Sequence, residues 1–509
     1  MTDCNRLLET VSWAARVSTL TVALTAALVA GCATSTVTNP VSGRAERSVM
    51  DEATELAEGR KAHQQVLAEY SALDNPRLQA YVNGLGQRLA RLSHRSALAW
   101  QFTVLDSPEV NAFALPGGYV YVTRGILAYM DSEADLAGVI GHEIGHVSAR
   151  HGAQRATRQQ DAGLGVLAAT VLGIGLEGLG LRGAAQAASQ VSQGVAAGFV
   201  ASYSRDQELQ ADQLGAEYLS RSHFDPKNMV DVIGVLKDQE RFAADSAREA
   251  GKPAPSGSSW LSSHPSNDQR LQQIRQAAAG YPGPFDDDGR TRYLRAIDGI
   301  GFGDGRAQGV VRGRQFFHEP LGLALTAPLG WRIQNSADAV LVMSPTEDAA
   351  LVMRALPADA GQTHDEILRK LFKTTQGRTE RLQLHGLDAT HFSGEARDAQ
   401  GQAQHIEVTL VSGPAGRVYA LNAAGRDAAA VQRARPGLAE AEASFRPLSA
   451  ADRAAARPWV MRSLPLPAGG LAELARRSPL PQAERQLRLL NGVYAGGELR
   501  PGQLVKVVE

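Results

Sequence analysis

His142, Glu143, Ile144, Gly145 and His146 form an HExxH pentad. On a helix, at about 100° per residue, the two histidines stand one turn apart on one face, and Glu143 flanks them within reach of a water held there. Two imidazoles and a carboxylate at that spacing are half of a catalytic zinc site and predict hydrolysis. Ala134 to Ile140 (ADLAGVI) is an apolar helical run directly ahead, so the motif is expected to extend a helix that already has a core-facing stripe.

A catalytic zinc takes three protein ligands and leaves one position open. The only cysteines, Cys4 and Cys32, precede the folded part, so the third ligand must be a histidine or a carboxylate. A metzincin arrangement needs Gly and His where Ala149 and Gly152 stand. His151, five residues beyond His146, would point about 140° away on a continuing helix, which predicts a cap or surface role. Glu208 and Asp212, four apart in SRDQELQAD, share one face of a second predicted helix. If Glu208 meets the metal, Asp212 can accept the free ring N–H of a ligating histidine. Spacing alone equally allows two exposed carboxylates.

These groups need a scaffold. Met50 to Leu92 carries apolar residues at helical spacing, including Leu56, Val66, Leu67, Leu78, Val82 and Leu89. Ala99 to Leu105 alternates like a strand, and Asn111 to Leu115 runs through Pro116-Gly117-Gly118 into Tyr119 to Thr123, a hairpin just upstream of the HExxH helix. An edge strand there can pair with an extended peptide, which makes Asn111, Ala112, Phe113 and Ala114 candidates for substrate binding. The apolar run from Ala162 to Leu176 is shorter than the roughly 20 residues of a membrane span. Its glycines weaken it as an isolated helix, so a packed or mobile helical pair near the site is expected.

Fifty-two basic and 53 acidic side chains nearly cancel in 509 residues, which leaves no electrostatic footprint for nucleic acid. Arg6 and Arg16, an apolar stretch from Leu20 to Ala30, and Ala30-Gly31-Cys32 resemble a bacterial lipoprotein signal. Lipidation of Cys32, followed by Ala33, predicts an anchor in the outer membrane facing the periplasm. The expected organisation is a signal peptide over 1–31, a tether over 32–50 and a metallopeptidase domain over 51–280, mainly α with a small β-sheet and zincin-like. A linker over 281–308, an α+β domain over 309–448 and a small module over 449–509 follow. Strands are expected at Leu321 to Ala327, Ala339 to Met343, Ala350 to Ala355, His405 to Val411 and Val418 to Asn422, with helices at His364 to Lys373 and Ala428 to Phe445. Leu490-Asn491-Gly492 and Pro501-Gly502-Gln503 near the end look like a degenerate LysM module, a likeness that implies a peptidoglycan contact.

HEIGHVSARH, SRDQELQAD and Ser263-His264-Pro265-Ser266-Asn267-Asp268-Gln269-Arg270, with NAFALPGGYVYVTRG upstream, resemble the HtpX and Ste24 family of zinc metallopeptidases, in its periplasmic lipoprotein, BepA-like branch. The likeness runs from about Asp51 to about Ala279. It implies one zinc held by His142, His146 and Glu208, Glu143 as general base and Asp212 behind a ligand. His264 and Arg270 match the HPxxxxR element, whose histidine either stabilises the oxyanion or blocks the zinc reversibly. The implied substrates are unfolded or misassembled envelope proteins.

Overall fold

The computed structural model describes residues 35–161, 203–249, 251, 260–264, 268–336, 339–397 and 403–509. Cys32 and the 162–176 run therefore lie outside the described residues. Among the described residues no helix is long and apolar enough to cross a membrane.

The chain starts with a hairpin of β1 (Ser35–Thr38) and β2 (Ala45–Ser48), where a tether was expected. Asn39 and Ser48 are buried, because this hairpin packs on the site rather than trailing from it. Helices α1 (Glu52–Glu69) and α2 (Pro76–Ala90) follow, broken where Asn75 caps α2 and Pro76 occupies its first turn. A three-stranded sheet comes next, of β3 (Gln101–Leu105), β4 (Ala112–Leu115) and β5 (Tyr119–Thr123) in the order β3-β5-β4. β4 and β5 form the expected hairpin, which leaves β4 at the edge.

After the short α3 (Arg124–Tyr129), the HExxH motif lies on α4 (Glu133–Ser148). Ser132 caps α4 by accepting from the Asp135 amide, and Glu133 and Asp135 complement the positive end of the helix dipole. Every residue of α4 is buried. It crosses α6 (Arg205–Arg221) at very short range: a Cβ on Gly145 would stand 2.8 Å from the Ala211 carbonyl oxygen, and one on Gly215 3.1 Å from the His142 amide. Those two glycines let the backbones approach until the side chains of both helices share one space. In the chain α5 (His151–Asp161) follows α4, and α7 (Asn228–Glu249), α8 (Trp260–Ser263) and α9 (Asp268–Ala279) enclose the pair.

Residues 281–308 are no linker. They contain α10 (Arg290–Ile297), whose Tyr293, Leu294 and Ile297 are buried in the same core as α4, and the strand β6 (Gly301–Phe302). The glycines, prolines and charges that read as a linker surround an apolar helix face too short to register as a period.

The chain then leaves this core. Residues 310–447 form a four-stranded sheet, order β17-β9-β8-β7, from β7 (Val310–Arg312), β8 (Gln315–His318), β9 (Leu323–Thr326) and β17 (Arg446–Pro447). A seven-stranded antiparallel sheet, order β10-β11-β12-β16-β15-β14-β13, joins β10 (Arg332–Asn335), β11 (Val340–Met343), β12 (Ala349–Ala355), β13 (Thr374–Leu384), β14 (Leu387–Arg397), β15 (Ala403–Ser412) and β16 (Val418–Gly425). Helix α11 (His364–Lys370) packs on one face of it, and α12 (Ala428–Ala443) on the other with Phe445. The α+β reading holds, and its strands and helices appear within a few residues of where they were expected.

Past α13 (Ala450–Ala455) the chain returns. In β18 (Trp459–Pro465), Trp459 pairs with Phe302 of β6, so exit and re-entry points are neighbours in one ladder. Helices α14 (Gly470–Ala475) and α15 (Ala483–Leu490) and strand β19 (Leu504–Val508), antiparallel to β18, complete a β-α-α-β unit. Met461, Leu471, Leu487, Leu490 and Val505 join the same core as α4 and α6. The ammonium of the fully buried Lys506 donates to the carbonyls of Ala128 and Met130 at 3.1 and 2.7 Å and pairs with Asp131 at 3.1 Å. It caps the C-terminal end of α3, where cations are favoured. The C-terminal unit is thus part of the body built around α4 and α6, and the α+β domain is inserted into that body.

Candidate metal centre

α4 presents His142 and His146 to Glu208 and Asp212 on α6. The Nε2 atoms of His142 and His146 are 3.0 Å apart. Glu208 approaches them at 3.5 and 3.4 Å. Glu208 sits in the first turn of α6, behind a capping box formed by Ser204 and Gln207, so the helix N-terminus favours its ionised form. Although burial opposes ionisation, the neighbouring His264, His146 and His142 hold its carboxyl well below the usual range. His146 is pushed well down by burial and stays neutral.

The outward nitrogens of both rings are engaged. His142 Nδ1 faces Asp212 Oδ1 at 2.8 Å, and Arg270 clamps that carboxylate with Nε at 2.7 Å and a terminal nitrogen at 2.8 Å. Burial opposes the Asp212 charge, but Arg270 holds its carboxyl low. Arg270 also reaches Glu208 Oε2 at 2.9 Å and the His264 carbonyl at 2.9 Å. It contacts Glu208, Asp212 and the His264 backbone together, which is the work of a positioning residue.

His146 Nδ1 lies 2.8 Å from His151 Nδ1, and His151 Nε2 lies 3.2 Å from Gln210 Oε1, which also accepts from Asn39 at 2.9 Å. His151 is completely buried, not a cap or surface residue. The 140° estimate required a continuing helix, but α4 stops at Ser148, and Arg150 takes a left-handed conformation with φ 56°. Glu55 secures that turn by pairing with Arg150 at 2.8 Å. The reversal swings His151 back onto His146, and the Asn39 contact brings the N-terminal hairpin into the support of the site.

With both Nδ1–H groups spent on Asp212 and His151, the two Nε2 lone pairs face each other beside an ionised carboxylate, an arrangement that a bound cation would satisfy. The donor atoms of His142, His146, Glu208 and His264 lie within 4.8 Å of one another, and a neutral-imidazole and carboxylate set without thiolate suits zinc.

His264 contributes the fourth donor. Its Nδ1 is 3.1 Å from His142 Nε2 and 3.0 Å from Glu208 Oε1, and its Nε2 is 3.5 Å from Glu143 Oε1. Burial lowers its proton affinity, yet Glu208 and Glu143 outweigh that and raise it. Glu143 is fully buried, and burial raises its carboxyl. The Trp260 indole N–H donates to Glu143 Oε1 at 3.1 Å, while Oε2 has no hydrogen-bond partner among the described residues.

Residues 76–278 match the description Peptidase family M48. These residues are an M48 metallopeptidase domain. The chain is 31% identical over 228 residues to the "Beta-barrel assembly-enhancing protease" of Yersinia pestis, a match covering 44% of each chain. It is 30% identical over 267 residues to the protein of that name from Escherichia coli, covering 52% of each. With "Mitochondrial metalloendopeptidase OMA1" of Schizosaccharomyces pombe it shares 30% over 242 residues, which is 47% of this chain and 65% of that one. The matched part spans about half the length of the two bacterial relatives.

The substrate-binding candidates of the M48 domain are only partly open. Ala112, Phe113 and Ala114 are buried, and Phe113 stacks on Tyr121 at 4.8 Å, so its side chain serves the core. Asn111 is half-buried, with its side-chain oxygen unpartnered among the described residues. A cavity of about 10 Å³, scarcely room for one water, lies between Ala114, Pro116, His146 and Tyr203.

Trp260 and Tyr203 escaped the sequence reading. Trp260 stacks on His264 at 4.5 Å, and its backbone amide donates to the Val110 carbonyl at 2.8 Å, just ahead of β4. Tyr203 stacks on His146 at 3.8 Å, and burial raises its phenol far enough to keep it protonated. Aromatic side chains flanking the SRDQE and SHP motifs were the available signal.

Proposed function

We propose that this protein is a zinc-dependent endopeptidase of the bacterial cell envelope that cleaves misfolded or misassembled outer-membrane and periplasmic proteins. The observation that carries the reading is the free, buried Oε2 of Glu143 beside the His142, His146 and Glu208 donors. The names of the bacterial relatives support the substrate class. A lipidated Cys32 would hold the site at the outer membrane, and the β-α-α-β order of residues 459–508 supports a LysM-like unit that contacts peptidoglycan.

Zinc bound here supplies a Lewis acid that polarises the scissile carbonyl and acidifies an attacking water. Glu143 accepts the water's proton at Oε2 and passes it to the leaving amine, while the Trp260 N–H keeps the carboxylate in one orientation. Its raised proton affinity suits a group that must both take and release a proton near neutral pH. The peptide pairs with the edge of β4 through backbone hydrogen bonds, which accept many sequences and suit unfolded chains. Glu143→Gln should retain one zinc per chain and lose roughly 100- to 10,000-fold in casein cleavage. Wild-type rates in that variant, at full zinc occupancy, would refute the mechanism.

The position of His264 favours a second, compatible reading, a gated enzyme that acts as an assembly factor while closed. His264 takes the fourth donor position, and α8, which ends immediately before it, is tied to Val110 at the start of the β4 edge. A displaced α8 would free the metal position and the substrate edge together. His264→Ala should then raise casein cleavage severalfold; a fall instead assigns His264 to oxyanion stabilisation.

A further inference from the structure

The inserted domain holds a cleft that the peptidase chemistry does not use. It runs beside α12, with a volume of about 280 Å³, and its apolar wall includes Leu351, Leu382, Leu384, Ala423 and Leu438. Val431, Arg435, Leu438 and Glu442 line it at helical spacing along one flank of α12. Eleven steps of 1.5 Å give a length of about 17 Å. The lining crosses five neighbouring strands, from Leu351 of β12 to Leu384 of β13, so the cleft reaches the last strand of the sheet.

Its polar groups are few and placed. Thr409 donates to Glu442 Oε1 at 2.6 Å, so the 2.8 Å contact between His391 Nδ1 and Thr409 Oγ1 must be donated by His391. His391 Nε2 is then an acceptor. Arg435 pairs with Glu407 at 3.2 Å.

A second observation concerns β13, which supplies Leu382 and Leu384 to this wall. β13 is eleven residues long and ends the seven-stranded sheet, and among the described residues no strand pairs with its outer side. Residues 375–381 are exposed. The two-residue turn at His385 and Gly386, both with positive φ, makes Leu384 and Leu387 the closing pair of the hairpin. Hydrogen-bonded pairs alternate from there, so Thr379, Arg381 and Gln383 turn their backbone N–H and C=O groups to the open edge. Natural edges of this length are normally covered or interrupted.

We propose that β13 and the cleft beside α12 form one docking site for an extended polypeptide with alternating apolar and polar side chains. The segment adds to β13 as a further strand, and an apolar side chain on the α12 side enters the cleft between Leu382, Leu384 and Leu438. The alternation is selected because only one face of the added strand meets an apolar wall. That such a segment belongs to a substrate of the metal site rests on the peptidase reading above; the docking itself does not.

The test uses the full zinc-loaded chain carrying Glu143→Gln, and the fluorescence anisotropy of a labelled peptide alternating Leu with Ser and Lys. Saturable binding is expected, weakened at least tenfold by Arg381→Pro, which removes an outward N–H, and by Ala439→Trp, which fills the cleft from an exposed helix position. The same peptide N-methylated at alternate residues tests the edge with no change to the protein and should also bind at least tenfold more weakly. A peptide of equal composition with its leucines grouped should bind less tightly than the alternating one. Absence of saturable binding, or equal affinity for the methylated peptide, overturns the proposal. Binding as expected together with a wild-type chain that leaves casein intact defeats the peptidase reading and leaves the docking site standing.

Discussion

The peptidase body and the domain inserted in it bury polarity on opposite terms. Around α4 and α6, His142, Glu143, His146, His151, Glu208, Asp212, His264 and Arg270 are all buried, and a chain of contacts runs from Asn39 to Arg270. In the inserted domain the charged groups near the cleft stand on its rim, and its wall is aliphatic. The first arrangement fixes donor atoms in advance at the cost of dehydrating them, as a metal site requires. The second leaves a surface that different side chains can fill. The difference teaches that chemistry and recognition are allotted to separate cores, and that mutations in one should leave the other's readout unmoved.

The largest effect confined to one side of that separation should come from Lys506→Ala. It strips three partners from a buried cation's site, and chemical denaturation should report a loss of about 3–5 kcal/mol in the body, with the inserted domain still folded by its own cores. Leu421→Ala makes the reverse test: a cavity in the inserted domain should cost it about 2–5 kcal/mol while zinc affinity, read by chelator competition, stays at the wild-type value. A fall in zinc affinity there would mean that the two cores are coupled. His151→Phe sharpens the picture inside the body, since removing the acceptor for the His146 N–H should weaken zinc binding about 10- to 100-fold with little change in thermal unfolding. An unchanged zinc constant would reduce His151 to packing.

The smallest effect concerns Asp135, at the start of α4, whose carboxyl burial raises from 3.8 to about 6. The folded state then binds more protons than the unfolded state between those values, so this contribution to stability is full below 3.8 and is lost as pH rises through about 6. From pH 7 to pH 5 the wild type should gain about 1 kcal/mol relative to Asp135→Asn. Parallel pH profiles for the two proteins would contradict this.

The ligand helix, its partner α6 and the β4–β5 hairpin were legible because each depends on local spacing, capping or turn residues. The role of His151 was not, since it turns on a left-handed Arg150, a conformation that an arginine does not advertise. The strands β13 and β14 were passed over because TTQGRTERLQL and its neighbour place charges on both faces, the pattern of a sheet margin rather than of a half-buried strand. The discontinuous body was hidden for another reason: Leu136 and Leu487 share a core across more than 300 positions of chain, and no local period encodes such a meeting.

The pairing of Phe302 with Trp459 has a consequence for how this molecule could be rebuilt. Facing residues in an antiparallel ladder lie only about 5 Å apart, so everything between them hangs from a single doorway. A different domain with adjacent termini could be hung there without moving His142, His146 or Glu208. Whatever grips the inserted domain pulls first on that short ladder, which joins through Gly301 and Gly303 to the buried Arg124 at the head of α3.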